Sequence, residues 1–530
     1  MLDPDTMTIV LQYMNIGLID LSEYPSSVIC DIAVTANFLQ ITELFKQIEY
    51  TLDTQLCESN WMKTMAIAEN STYLKLQQFS AAFGLYSFQS MKPEYVPTIN
   101  RLAWYLSHPY LGAPGELDVF NFGYQWILNN ETGADALLII LGCLDFQRLT
   151  CDDILEVKKS VSQFENSLAS KVVDCLLELS THLEISETVL SKNKSELCQK
   201  FTERVWTETL NIVKESKTRL LKYTPIVPMW VIRNSKPELL PHYMYTFSND
   251  SGFKQWLEVS EKNLWGWSVI SWGLTKLVIV CGEHGKGTGI FMKDVKVYDT
   301  LRKEWTRHGV ELPRRRHAGL AVVGDSLYLV GGVGGYRVVL ETAIIYDLKQ
   351  RTYRKIAKLP DAIQNPAVCS HNNMVYVAGE KNIFRYEDSG ASDCWRMIVG
   401  TDIRMSCIRS FKGYIYCIQN YFSHLYRFRP DIDKKLELIT HFTSVPATLC
   451  NVGDHLKVFT RTVCGQSDTL VVEEFNHENK ELKPKVVFKA TETALRVNDV
   501  AGSCVLALTL PPLCSELSAY HNKYLTSYNY

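Results

Sequence analysis

The chemistry this chain could carry is written first in two glycine-rich stretches. Gly282 to Gly289 reads GEHGKGTG, close to a phosphate-cradling loop. That loop needs Gly-x-x-x-x-Gly-Lys-Ser/Thr, yet Gly287 is followed by Thr288 where the lysine belongs, so no residue would reach the terminal phosphates. Gly332-Val333-Gly334-Gly335-Tyr336-Arg337 approaches a dinucleotide fingerprint, but Arg337 takes the position of the third glycine, where a helix and a strand must pack closely. His284, His308 and His317 fall on separate loops without carboxylates at ligand spacing, and no metal site is expected. The 15 cysteines are scattered, and none forms Cys-x-x-Cys. Cys143, Cys281 and Cys417 stand inside apolar runs, where a thiol behaves as a small buried hydrophobe. A disulfide framework or zinc site is therefore not expected. These failures leave no catalytic residue, no cofactor and no metal, and point to a non-enzymatic protein. What remains is a cationic cluster, Pro313-Arg314-Arg315-Arg316-His317, suited to pairing with carboxylates. As a nuclear-localisation or phosphate-binding patch it is a weak signal.

The elements that must hold that cluster are repeats. Between Leu277 and Pro360 one pattern is written twice: an apolar run ending in small residues (Cys281-Gly282, Gly331-Gly332), a loop, and a second apolar run closing on Tyr-Asp (Tyr298-Asp299, Tyr346-Asp347). An aromatic returns seven residues past each tyrosine, at Trp305 and Tyr353, and the tyrosines stand 48 residues apart. A period of this size, with several short strands per unit, indicates a propeller. Weaker copies centre on Phe247, Tyr386, Phe428 and Phe475, which makes six anchors. Glycine lets strands approach closely near the propeller axis, and each anchoring ring is expected to fill the wedge between two blades. The first unit has an outer half without an inner strand, while Ser503 to Leu513 has an inner-strand pattern and no partner. Together they are expected to complete one blade and close the ring.

With 46% hydrophobic and 21% charged residues among 530, the chain has ordinary globular composition and exceeds a single core. A formal net charge of −3 argues against nucleic acid as a bulk electrostatic partner. The longest apolar run, Ala136 to Leu144, is too short to cross a bilayer, so no membrane association is expected. The segment MLDPDTMTIV lacks the basic and apolar regions of a secretory signal, and the expectation is a cytoplasmic protein.

Upstream of the repeats the text is helical. In the stretch from Ser26, Val28, Ile32, Ala36, Leu39, Ile41 and Leu44 make a broad apolar face. Residues 57 to 222 read as helices with short breaks, and Pro225, Pro228, Pro237 and Pro241 punctuate a linker over 223–242. The repeats, with their diglycine, Tyr-Asp and spaced Trp, resemble the kelch family, divergent in the later blades. Tyr13 with Gly17, then Ala36-Asn37-Phe38-Leu39-Gln40-Ile41, resemble the second half of a BTB domain. Ala68-Glu69, Glu116 to Phe120, Trp126-Ile127 and, more loosely, Asp145 to Leu149 resemble the BACK domain. The resemblance is thus to BTB-BACK-kelch proteins with an N-terminally truncated BTB domain. It implies a multidomain protein: an all-α N-terminal half, with partial BTB at 1–56 and BACK-like helices at 57–222, followed by an all-β six-bladed kelch propeller at 243–513. Residues 514–530 are expected to be a disordered tail.

In that family the turns from the last strand of one blade to the first of the next line a target-binding face. The resemblance places Arg314, Arg315, Arg316 and His317 there, with Asn365, Arg404, Ser444 and Arg496, and puts Arg316 and Arg404 where a target-contacting arginine is common. It implies a substrate-recognition adaptor of a cullin-RING ubiquitin ligase, in the ubiquitin-like conjugation pathway. The propeller would capture the target protein, and the BTB and BACK parts would hold the cullin. The alternative it leaves open is an actin- or cytoskeleton-binding scaffold without ubiquitin transfer.

Overall fold

A computed structural model describes residues 3–180, 185, 187–216, 218–231, 241–461, 469–477, 483–513 and 519–525. They form a helical N-terminal half of 13 helices followed by a six-bladed β-propeller, as expected. Two compact units result, 1–221 with 509–530, and 222–508.

In the helical unit, the first helix, Pro4–Ile16, starts where the Asp3 carboxylate accepts from the Thr6 amide at 2.9 Å. It stops at Gly17, whose φ of +77° supplies the left-handed cap. Ser26–Phe38 and Thr42–Thr54 follow. Residues 1–56 do not form a separate body. Val10, Ile32, Ala36, Leu44 and Ile48 share one core with Ile67, Ala68, Tyr73 and Leu76 from the next helices. Asn37 adds a bond to Thr72 Oγ1 at 3.0 Å.

One ion pair pins the far end of this unit. Glu116 opens the helix Glu116–Asn129, and its fully buried carboxylate takes the Arg219 guanidinium bidentately, Nε to Oε1 and Nη2 to Oε2, both at 2.8 Å. Arg219 Nη1 also donates to the carbonyls of Leu106 and His108. The chain after the helix Glu203–Glu215 is thereby fixed to the bundle.

The tail expected to be disordered is corrected in part. Residues 519–525 form a helix in the helical unit, with His521 and Leu525 buried. Cys143 Sγ lies 3.3 Å from His521 Nε2, and Lys523 pairs with Glu208 at 2.7 Å. Nearer the last propeller strand, Tyr86 Oη donates to the Thr509 carbonyl and Gln78 Nε2 to that of Pro511. Residues 514–518 and 526–530 lie outside the described residues. The propeller therefore ends at about Leu508 and not at Leu513.

The propeller comprises five sheets of four antiparallel strands and one of five. Strands are called a to d from the axis outward. Blade 2 runs 268–308, blade 3 319–356, blade 4 367–400, blade 5 405–441 and blade 6 446–490. Blade 1 is the composite that closes the ring. Its inner edge is Leu495–Val497 plus Cys504–Ala507, both paired to Tyr223–Val231, followed by Pro241–Ser248 and Gly252–Lys262. The described part of the expected linker 223–242 is therefore strand: the prolines mark an irregular strand, not a boundary. Pro228 falls in the gap between the two inner segments, where a missing N–H costs no ladder bond, and its carbonyl accepts from Asn498.

Six core clusters fill the six wedges between neighbouring blades. Each anchor occupies the wedge toward the preceding blade: Tyr298 between blades 1 and 2, Tyr346 between 2 and 3, Tyr386 between 3 and 4. Phe428, Phe475 and Phe247 continue the series around the ring. Within a blade, Tyr298 faces Trp305, Tyr346 faces Tyr353 and Tyr386 faces Trp395 in the c–d register.

Candidate functional site

In a four-stranded antiparallel blade, the b–c loop and the d–a turn into the next blade emerge at the same end. Here they are bonded together. Arg316 and Val333 exchange amide–carbonyl bonds at 2.9 and 2.8 Å, joining the turn after blade 2 to the b–c loop of blade 3. Successive turns are also linked: the His317 amide donates to the Gly266 carbonyl at 2.7 Å, and the Asn365 amide to the His317 carbonyl at 3.1 Å. His317 and Asn365 both take left-handed φ, +55° and +58°.

The diglycine sits at this end of blade 3, at the b–c corner away from the axis. A Cβ on Gly331 (φ +59°) would lie 2.7 Å from the Ile363 carbonyl oxygen, and one on Gly332 (φ +97°) 2.6 Å from that of Arg316. Glycine is needed here for its φ and for the close approach of the neighbouring turn. In blade 2 Cys281 adopts the same left-handed φ, +65°, as a buried thiol pushed up to about 12 by desolvation.

The arginine run divides sharply. Arg314 is exposed. Arg315 is 1% exposed, its guanidinium donating to the carbonyls of Leu329, Gly331 and Thr342 at 3.2–3.3 Å. It staples blade 3 from within and has no surface to offer a partner. Arg316 Nη1 pairs at 2.6 Å with Glu283, whose carboxylate is buried in the b–c loop of blade 2 and also accepts from the Gly289 amide at 2.7 Å. The phosphate-like loop thus spends an amide on its own carboxylate. His317 is buried edge-on to Trp265 and held neutral, its pKa depressed to about 4 by desolvation and then by Arg316. Among the described residues no three His, Cys, Asp or Glu side chains converge as a metal site.

The other expected residues spread around the same end. Arg404 is exposed in the turn after blade 4, with Nη2 3.4 Å from the Gln364 carbonyl and Nη1 3.8 Å from Glu380. Asn365 and Ser444 are half-buried in their turns. Arg496 lies in the inner strand of blade 1, opposite Trp230, and not in a turn.

The apolar part of this face comes from residues the sequence did not single out. Ile290 in the b–c loop of blade 2, Tyr336 and Val338 in that of blade 3, and Tyr421 and Phe422 in that of blade 5 are all exposed. Tyr336 and Tyr421 stand on left-handed backbone, at φ +55° and +64°. Cations lie among them: Lys286 over Trp265 at 5.0 Å, and Arg461 over Tyr421 at 4.8 Å while paired to Asp499 at 2.9 Å. Lone exposed aromatics have no periodicity to betray them. Their only signal is their place after the diglycine or its substitute. The b–c loops of blades 1 and 6, at 232–240 and 462–468, lie outside the described residues.

Comparison with known proteins agrees with this geometry. The model of the kelch motif matches residues 314–360, the turn and strands of blade 3. Kelch-like protein 25 of Xenopus laevis is 34% identical and that of Homo sapiens 33%, each over 116 residues and 20% of either chain. Kelch repeat and BTB domain-containing protein 2 of Ectromelia virus (strain Moscow) is 32% identical over 74 residues, 13% of either chain. The chain spans about a fifth of the length of the first of these relatives. Motif, relatives and six blades together support a kelch-repeat protein.

Proposed function

We propose that this chain is a non-catalytic, cytoplasmic substrate-recognition adaptor of a cullin-RING ubiquitin ligase. The propeller captures a target protein, and the helical unit, read as a partial BTB domain with BACK helices, holds the cullin. The observation that carries the first half is the b–c end of the propeller. There Ile290, Tyr336, Val338, Tyr421 and Phe422 are exposed above turns fixed by backbone bonds, with Arg314 and Arg404 exposed at the same end. Rigid aromatic anchors ringed by cations fit a peptide bearing apolar and acidic side chains. Asn365 and Ser444, half-buried in their turns, would bond that peptide's backbone. The adaptor accelerates transfer by raising local concentration and does no bond chemistry itself. In the helical unit Met14, Ile16, Leu18 and Phe38 are exposed, which supports a docking role for those helices.

The test is recovery of partners on the tagged full chain. A cullin retained with it, and lost when Met14, Leu18 and Phe38 become aspartate, supports the ligase reading. Co-sedimentation with actin filaments and no cullin would instead support the cytoskeletal scaffold.

A further inference from the structure

The inner edges of the six blades line a cavity on the propeller axis, of roughly 80 Å³, to which every blade contributes. Most of its wall is backbone and small side chains: Gly319, Ala367, Ala447 and Gly502 among them. One cation enters it. Arg409, on the inner strand of blade 5, reaches across two blades, with Nε donating to the Leu449 carbonyl at 3.2 Å and Nη2 to that of Ser503. These acceptors are dipoles, not charges. Among the described residues no carboxylate pairs with Arg409. Asp499, which also lines the cavity, is taken by Arg461 at 2.9 Å.

The other groups around Arg409 do not balance its charge. Cys369, Cys407, Cys450 and Cys504 surround it, and burial raises all four thiols, Cys369 to about 12 and Cys450 to about 11, so they are neutral at physiological pH. A second, independent feature stands three residues before Arg409 in the cavity wall. Among the described residues the buried hydroxyl of Ser406 has no hydrogen-bond partner. An uncompensated guanidinium and an unsatisfied hydroxyl lining one small space are both costly unless something accepts from them.

We propose that the axial cavity binds a small inorganic anion, of chloride or phosphate size, between Arg409 and Ser406. The space suits an ion or a few waters and not a peptide segment. Such an ion would tie blades 5, 6 and 1 together from the inside and make the ring's stability depend on anion concentration.

The experiment uses the purified full chain in sodium gluconate, with sodium chloride or sodium phosphate exchanged in at constant ionic strength. Expected is a saturable rise of the propeller's melting temperature with at least one of the two anions, and saturable broadening of the ³⁵Cl resonance if chloride is the ligand. Arg409→Gln should abolish the rise. Ser406→Ala, which deletes only one donor, should weaken the apparent affinity about tenfold. Lys355→Ala, removing an exposed charge on the outer strand of blade 3, should leave the response intact. If Arg409→Gln does not fold, Ser406→Ala and the wild-type resonance decide. A response to neither anion, or a rise that does not saturate and is unchanged in Ser406→Ala, would overturn the proposal.

Discussion

Arg316 and Glu283 meet at 2.6 Å across the boundary between blades 2 and 3, with the carboxylate buried and the guanidinium 13% exposed. The pair locks a b–c loop to the neighbouring d–a turn, so what reads in sequence as a surface cluster is a tether. Removing one partner strands the other charge in a desolvated place, at a cost of about 3 kcal/mol. Arg316→Ala and Glu283→Ala should each lower stability by that order in denaturant unfolding. The double variant should cost less than the two singles together, leaving a coupling of about 1–3 kcal/mol in the cycle.

Gly332 should not tolerate a side chain. Its φ is +97°, and a Cβ would meet the Arg316 carbonyl oxygen at 2.6 Å, an atom held by the Val333 amide. Backbone strain plus the clash predicts a loss above about 2 kcal/mol for Gly332→Ala. Gly335, with nothing within 4 Å of a built Cβ, should accept alanine at a small fraction of that cost. Equal melting temperatures for the two variants would refute the argument.

Acid should destabilise the propeller before its carboxylates titrate. His242 and His317 are buried, and desolvation lowers each to about 4. The unfolded chain, with histidines near their ordinary value of about 6.5, binds these protons first. Stability is thus complete above pH 6.5 and falls as pH drops toward 4, by up to about 3 kcal/mol per histidine. His308 and His371 shift the same way, again from burial. Replacing His242 and His317 by glutamine should flatten the measured slope of stability against pH in that window.

The parts of this fold that were legible are those where packing dictates residue type. Tyr298, Tyr346 and Tyr386 announce blades because a wedge between flat sheets demands a large ring, and the demand recurs at every interface. Arg315 was illegible for the opposite reason. A charged residue reads as surface, and only the coordinates reveal three carbonyls turned inward to receive it. Tyr223–Val231 hid behind its prolines, whose missing donors are harmless at a break in the inner strand. The helix Ala519–Leu525 is too short for periodicity to declare it, and is fixed by long-range partners such as Glu208.

Arg219 should be the most sensitive residue of the helical unit. Its fork closes on Glu116 through two bonds of 2.8 Å and reaches three further carbonyls, of Leu106, His108 and Cys143, with almost no water access to either side chain. Arg219→Ala leaves the buried carboxylate with only the Asp145 amide and the more distant Arg148, at 3.6 Å, a loss of about 3 kcal/mol. Arg219→Lys keeps the charge but not the planar fork, and should recover less than half of that. Full rescue by lysine in thermal unfolding would mean that charge alone, and not the bidentate geometry, holds the segment.

Tyr336 separates binding from folding. It is fully exposed at the tip of the blade 3 b–c loop, so Tyr336→Ala removes no packing and should leave the unfolding free energy within about half a kcal/mol of wild type. If this end captures a protein, the same change should cost about 2 kcal/mol of affinity, the order expected of an aromatic anchor at an interface centre. Tyr421→Ala should behave alike but lose less, because Arg461, which stacks on that ring while paired to Asp499, stays behind to contact the partner. Titration of each variant with the captured target, read by calorimetry, gives the two losses directly. Unchanged affinity in both would move the binding surface off these loops.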